Sequence, residues 1–394
     1  MCSALQEDQR ENLTENYLNA IIHEEIERAL VLKDRMQLPL KYSQLSGLVA
    51  RCNKLLDSDI SQLRGLSQQV SSPRPNPRYA WRSVRSIIRD IEWTEKYGLP
   101  ALYYQSQEVG FLNGLMFKIL REVNLPLEPP AVACLSTSYF YTAPVVDVIF
   151  VPLSEADFLL HLPDLYHELG HYTLGAMGNT KKLQELRANH QGAFAGVTQY
   201  YRNLLTQKTR DSAPEGIIEL IRRIHSNWKS WIQEFFCDIF AVATLGPAYA
   251  WSHLHLSAKT SENVYSLSYV LPQSHPSDES RMRALLMVLR RIGFDKEAEE
   301  IEKRWKQVMS PWGAAPIEYQ YAFPDEILEK ISELWLSGLT NSGIVIASPA
   351  AVNGQTGEVR PLLNTAWQKF WESSPTDFRK WETDSLKQLR AGVA

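Results

Sequence analysis

Asp164-Leu165-Tyr166-His167-Glu168-Leu169-Gly170-His171-Tyr172-Thr173-Leu174 carries two histidines four residues apart, set among Leu165, Leu169, Tyr172 and Leu174. Residues at i and i+4 lie on one face of an α-helix about one turn apart, so the spacing predicts a helix with both imidazoles on the same side. About ten residues upstream, Val145-Val146-Asp147-Val148-Ile149-Phe150-Val151 is apolar and β-branched and is bounded by Pro144 and Pro152, which makes it the best strand candidate. The rest reads as helical. Leu18, Ile22, Ile26, Ala29 and Leu30 recur at helical spacing, and Leu45, Leu48, Val49, Cys52, Leu55, Leu56, Ile60, Leu63 and Leu66 form one apolar stripe. Further helices are predicted over about 81–97 and 105–123, from Asp278 towards Val308 behind a Ser277 N-cap, and from Asn364 to Leu389. Trp367, Phe370 and Trp371 share a face of that last helix, which reads as a core-docking face rather than a partner surface. The prolines at 73, 75 and 77 make 71–77 a turn or linker, and 342–361 reads as an irregular loop. The fold class expected is α+β, predominantly α-helical, with a small sheet.

Composition narrows the function. The 394 residues hold 41 Lys+Arg against 45 Asp+Glu, a net charge of −4, where a dedicated nucleic-acid binder would show a basic excess. The arginines of 74–89, with Trp81, read as a solvated helix face. No window reaches the ~18 apolar residues of a membrane span. The first twenty residues lack a basic and then apolar secretory pattern. Cys2, Cys52, Cys134 and Cys237 lie too far apart for a zinc knuckle or a disulfide framework. The expectation is a soluble, cytoplasmic protein of a reducing compartment, with no nucleic acid and no membrane span, its oligomeric state left open.

The chemistry concentrates at three places. His167 and His171 can chelate one Zn2+, and Glu168 between them can take a proton from a water that the metal activates. The longer pattern with glycine at 174 and histidine at 177 is ruled out by Leu174 and Met177. A hydrolytic site needs a third protein ligand. Trp231-Ile232-Gln233-Glu234-Phe235-Phe236-Cys237-Asp238 places two carboxylates at i and i+4 in an apolar helix, where they are expensive to bury unless paired or metal-bound. Glu234 is the favoured ligand, with Asp238 accepting from the far nitrogen of a ligand histidine. Glu185 and His190 are the rival third ligands. Cys237 reads as a small buried hydrophobe, with a thiolate on the metal as the alternative. His275, just before Pro276, and Arg281, one turn into the following helix, could stabilise a developing oxyanion.

These elements together, an HExxH helix, a downstream ExxxD helix and a His-Pro with arginine six residues after the histidine, resemble the gluzincin metallopeptidases, and most closely the soluble core of the M48 peptidase family. The resemblance covers about residues 145–290. It implies a zincin-like catalytic domain over 126–310, between helical regions at 1–125 and 311–394. It also implies zinc on His167, His171 and Glu234, Glu168 as general base, Asp238 behind a ligand histidine, and His275 and Arg281 near the scissile carbonyl. Phe236-Cys237 replaces the usual small pair before the aspartate, and the family's flanking membrane helices are missing. The activity implied is hydrolysis of a peptide or protein substrate. The 145–151 strand would be either an edge strand that pairs with extended substrate or an ordinary buried strand. Two other functions fit the same residues: a non-catalytic helical binding or scaffold protein, and a zinc hydrolase acting on a non-peptide amide.

Overall fold

A computed structural model describes residues 2–70, 77–137, 139–267, 273–352 and 358–393. The 71–77 linker expected from its prolines lies outside these residues, except Pro77. About three quarters of the chain is helical, with one small mixed sheet, so the α+β, mainly helical class holds. Among the described residues no helix is long and apolar enough to cross a membrane.

The chain forms two compact units, Met1–Asn113 with Pro130–Leu153, and Gly114–Pro129 with Ser154–Ala394. In the first, α1 (Cys2–Arg35), α2 (Ser46–Val70) and α3 (Pro77–Trp93) pack together. The apolar stripe forms their core: Leu48, Cys52, Leu56, Ile60, Leu63 and Leu66 of α2 are buried, together with Leu18, Ile22 and Ile26 of α1. After α4 (Leu99–Tyr103), α5 (Gln107–Glu122) crosses the boundary between the units. The sheet runs β1 (Ala131–Ser136), β3 (Val148–Pro152), β2 (Tyr141–Ala143) in spatial order, with β1 parallel and β2 antiparallel to β3.

Two expectations change here. Val145 to Asp147 belong to the β2–β3 turn, where Asp147 adopts φ 54°, and the strand starts at Val148. That strand is central and hydrogen-bonded on both sides, so it is the buried strand and not the edge strand. The outer side of β1 is closed by a side chain. The Asn113 amide accepts from Val132 N–H (3.0 Å) and donates to Val132 C=O (2.7 Å), standing in for a neighbouring strand.

The second unit contains α6 (Asp164–Ala176), α7 (Gln184–Arg210), α8 (Glu215–Leu245) and α9 (Pro247–Thr260). These are followed by α10 (Asp278–Arg291), α11 (Asp295–Val308), α12 (Tyr319–Ala322) and α13 (Asp325–Asn341), then α14 (Pro349–Val352), α15 (Val359–Glu372) and α16 (Pro375–Ala391). Helix α8 is its axis: every residue from Phe235 to Leu245 is buried, and α6, α7, α9, α10 and α13 all pack on it. The expected 278–308 helix is two helices, because the chain turns at Ile292–Phe294 to bury Phe294. The expected 364–389 helix is also two, since Ser374 caps a new start with its hydroxyl on Asp377 N–H and Pro375 opens it. Trp367 is buried, and Trp371 lies 5.2 Å from Trp251, so the tail docks as a core face.

Candidate metal centre

The site is made where α6 crosses α8, and Gly170 sets how closely they cross. A Cβ at this position would lie 2.7 Å from Cys237 Cα, nearer than side-chain carbons sit to a neighbouring backbone. Glycine on α6 and a small residue on α8 therefore let the two backbones meet, with the HExxH face turned onto Glu234 and Asp238. Cys237 is buried without a disulfide, and burial together with the nearby Glu234, Glu168 and Asp238 charges pushes its thiol well up.

Asp238 is the most connected group of the site. It is fully buried and accepts from Arg281 Nε on Oδ2 (2.7 Å) and from Arg281 Nη2 on Oδ1 (2.7 Å). Tyr249 O–H donates to Oδ1 at 2.6 Å, and His167 Nδ1 lies 3.0 Å from the same oxygen. Burial alone would raise this carboxyl, but the Arg281 guanidinium and these donors hold it well below the usual carboxylate range. Tyr249 O also lies 2.9 Å from His167 Nδ1, with its ring stacked on the imidazole. With its own proton on Asp238, Tyr249 accepts at that contact. Both acceptors hold a His167 proton on Nδ1, so a metal would bind at Nε2 by displacing the second proton of the ring. Burial would lower His167, yet Asp238 and Glu234 raise it to about 10, while burial and His167 lower His171 to about 4.

Two donor sets share the histidines. His167, His171 and Cys237 form a largely buried group that could hold a metal ion, their ligand atoms all within 4.8 Å of one another. Glu234 offers a second arrangement, with Oε2 3.5 Å from His167 Nε2 and Oε1 3.6 Å from His171 Nε2. These separations are too long for hydrogen bonds, and Glu234 Oε2 is buried with no hydrogen-bond partner among the described residues. Donors at 2.0–2.1 Å from a tetrahedral zinc stand about 3.4 Å apart, so the spacing suits ligands that share one small cation. Burial would raise the Glu234 carboxyl, but the adjacent His167 brings it down to about 2. His167, His171 and Cys237 thus each offer a single ligand atom within reach of the other two, whereas Glu234 meets the two histidines through different oxygens.

The remaining sequence candidates fall in different places. Glu168 is buried on α6 beside the histidines. His275 is exposed, with Nε2 3.6 Å from Glu234 Oε2 and Nδ1 2.8 Å from Ser274 Oγ. Arg281 departs from the expectation. Ser277 caps α10 by accepting from Ser280 N–H, which puts Arg281 one turn inside a buried helix where its charge needs a partner; the guanidinium is held by Asp238 rather than offered to a substrate. Of the rivals, Glu185 is exposed, and His190 lies in an aromatic slot, stacked on Trp335 at 5.8 Å and lowered to about 4 by burial.

Tyr249 was not legible in the sequence. It comes from α9, which leaves α8 through Gly246 at φ 92°, a backbone angle that favours glycine, followed by Pro247. That Gly-Pro pair signals a turn, but not that the next helix returns a tyrosine to Asp238. Comparison with protein-family models, curated proteins and solved structures finds no match for this chain.

Proposed function

We propose that this chain is a zinc-dependent peptidase of the cytosol, with His167, His171 and Glu234 as metal ligands and Glu168 as general base. The observation that supports it most is the buried Glu234 Oε2, without a hydrogen-bond partner among the described residues and 3.5 Å from His167 Nε2. When bound, zinc supplies a Lewis acid for the carbonyl and lowers the pKa of water from about 15.7 to about 7.

The protein groups then divide the work. Glu168 takes the proton of the attacking water and delivers it to the amide nitrogen as the C–N bond breaks. Asp238 keeps the His167 proton on Nδ1, which orients the ring and raises the basicity of Nε2. Arg281 and Tyr249 keep Asp238 ionised and fixed in place. His275, exposed beside Glu234, is placed to donate to the carbonyl oxygen of an entering substrate. The same assignment underlies the gluzincin resemblance.

Metal analysis of the purified protein, combined with hydrolysis of a peptide library, tests the reading. Glu168→Gln is expected to retain zinc and lose about 10²–10⁴-fold in rate, the usual contribution of a general base. Full activity in that variant, or a wild type without zinc, rejects the assignment. The proximity of Cys237 to both histidines favours a second reading in which it replaces Glu234 as ligand. Cys237→Ser is expected to keep zinc and Glu234→Gln to lose it; the opposite pattern in metal titrations moves the third ligand to Cys237.

A further inference from the structure

The first unit carries a surface unrelated to the metal centre. On α3, Ala80, Val84, Ile87 and Ile91 are buried, and a second stripe of Trp81, Arg82, Arg85, Ile88 and Arg89 lines an open concavity of about 820 Å³. Arg82, Arg85 and Arg89 are exposed and make no ion pair or hydrogen bond among the described residues; Arg85 lies over the Trp81 ring, 5.8 Å from its centre. Trp81 and Ile88 are half-buried and form an apolar floor, and Tyr17, its ring 6.3 Å from Trp81, is 63% exposed. Other cations of this unit behave differently: Arg28 pairs with Glu25 and Glu95, and Lys33 with Asp57. In a chain of net charge −4, three arginines without an ion pair among the described residues, on about 10 Å of one helix face, form a concentrated positive stripe.

We infer that this groove binds an acidic polypeptide segment of a partner or substrate protein. Guanidinium groups grip carboxylates through paired N–H donors, and the Trp81–Ile88 floor accepts an apolar side chain lying between acidic ones. Arginine, tryptophan and tyrosine are also the residues enriched where protein partners are held most tightly. The other anionic partners fit less well. The chain's net charge of −4 disfavours a nucleic acid, and a bilayer would require a broad apolar face, whereas this helix face carries three exposed arginines around two half-buried apolar residues. The inference is independent of the zinc reading.

The test uses the full chain and a fluorescein-labelled peptide of glutamates interspersed with leucines, followed by fluorescence anisotropy. Saturable binding is expected that weakens with added salt. It should fall at least tenfold in the triple variant Arg82→Glu, Arg85→Glu, Arg89→Glu, and severalfold in Trp81→Ala. Circular dichroism checks folding, and the triple glutamine variant provides the same reading if charge reversal impairs it. Equal peptide binding by wild type and triple variant overturns the inference. So does tighter wild-type binding of single-stranded DNA, or of phosphatidylserine vesicles, than of the peptide.

Discussion

Asp59 in the first unit and Asp238 in the second are both buried carboxyls, and their surroundings set them apart. Asp59 is 4% exposed, has one oxygen without a hydrogen-bond partner, and is raised to about 6 by burial and then by Asp90. Asp238 is 0% exposed and held well below its usual range, with Arg281, Tyr249 and His167 around it. Burial works against the charged form in both; a dedicated cation and two further donors reverse the outcome in only one. A buried acid in a helical core is therefore not by itself a sign of function. The arrangement that keeps it ionised is.

The contrast breaks most visibly at Asp238. Asp238→Ala leaves Arg281 buried without its counter-ion and is expected to cost about 3–5 kcal/mol, read as a shift in a denaturant midpoint. A loss below 1 kcal/mol would show that Arg281 finds another partner and that the two aspartates differ less than their surroundings suggest. Gly170→Ala comes next. The added methyl must push α6 off α8 near Cys237, at a cost of about 1–3 kcal/mol. If the chain binds zinc as proposed, its affinity should fall as well, because the donors of the two helices move apart; unchanged affinity would mean that the crossing does not set the site.

The smallest effect is expected at Asp59, and with the opposite sign. Its folded carboxyl titrates near 6, above its ordinary 3.8, so the native state holds its proton longer than the unfolded chain does. No penalty exists below pH 4. It accumulates as pH rises towards 6 and stays constant above. Asp59→Asn should therefore be destabilising by about 1–2 kcal/mol at pH 4 and stabilising by about 1 kcal/mol at pH 8, since the cost of burying the unpartnered amide is the same at both. Thermal melts at both pH values would show the crossover, and a destabilised variant at pH 8 would mean that Asp59 has a partner when ionised.

The sequence revealed more of the site than of its supports. His167 and His171, and Glu234 and Asp238, are each one helical turn apart, so local periodicity was enough to place each pair on one face. The contact between pairs 71 residues apart in sequence rests on packing at Gly170 and Cys237, which no local pattern encodes. Tyr249 and the capture of Arg281 depend on the angles at which α9 and α10 leave α8, and those are set by the whole second unit. Ser277 was legible as a cap because capping is local. The breaks at 292–294 and 373–375 were missed because apolar periodicity continues across them, although the Ser-Pro at 374–375 carried a usable signal. The apolar 148–151 run could not say whether its strand was central or at an edge, since that depends on which strands pair beside it.

The amide of Asn113 has a consequence for how this chain stays apart from its own copies. It occupies both hydrogen-bonding groups of Val132 from a position nineteen residues earlier, on a helix that begins at Gln107. An unsatisfied strand edge is a template for another chain, and β2 at the opposite side is only three residues long, which blunts it. β1 has no such protection of its own. Asn113→Ala in the full chain would retain all three strands and their helices and lose only the plug, so self-association rather than unfolding would be its mode of failure.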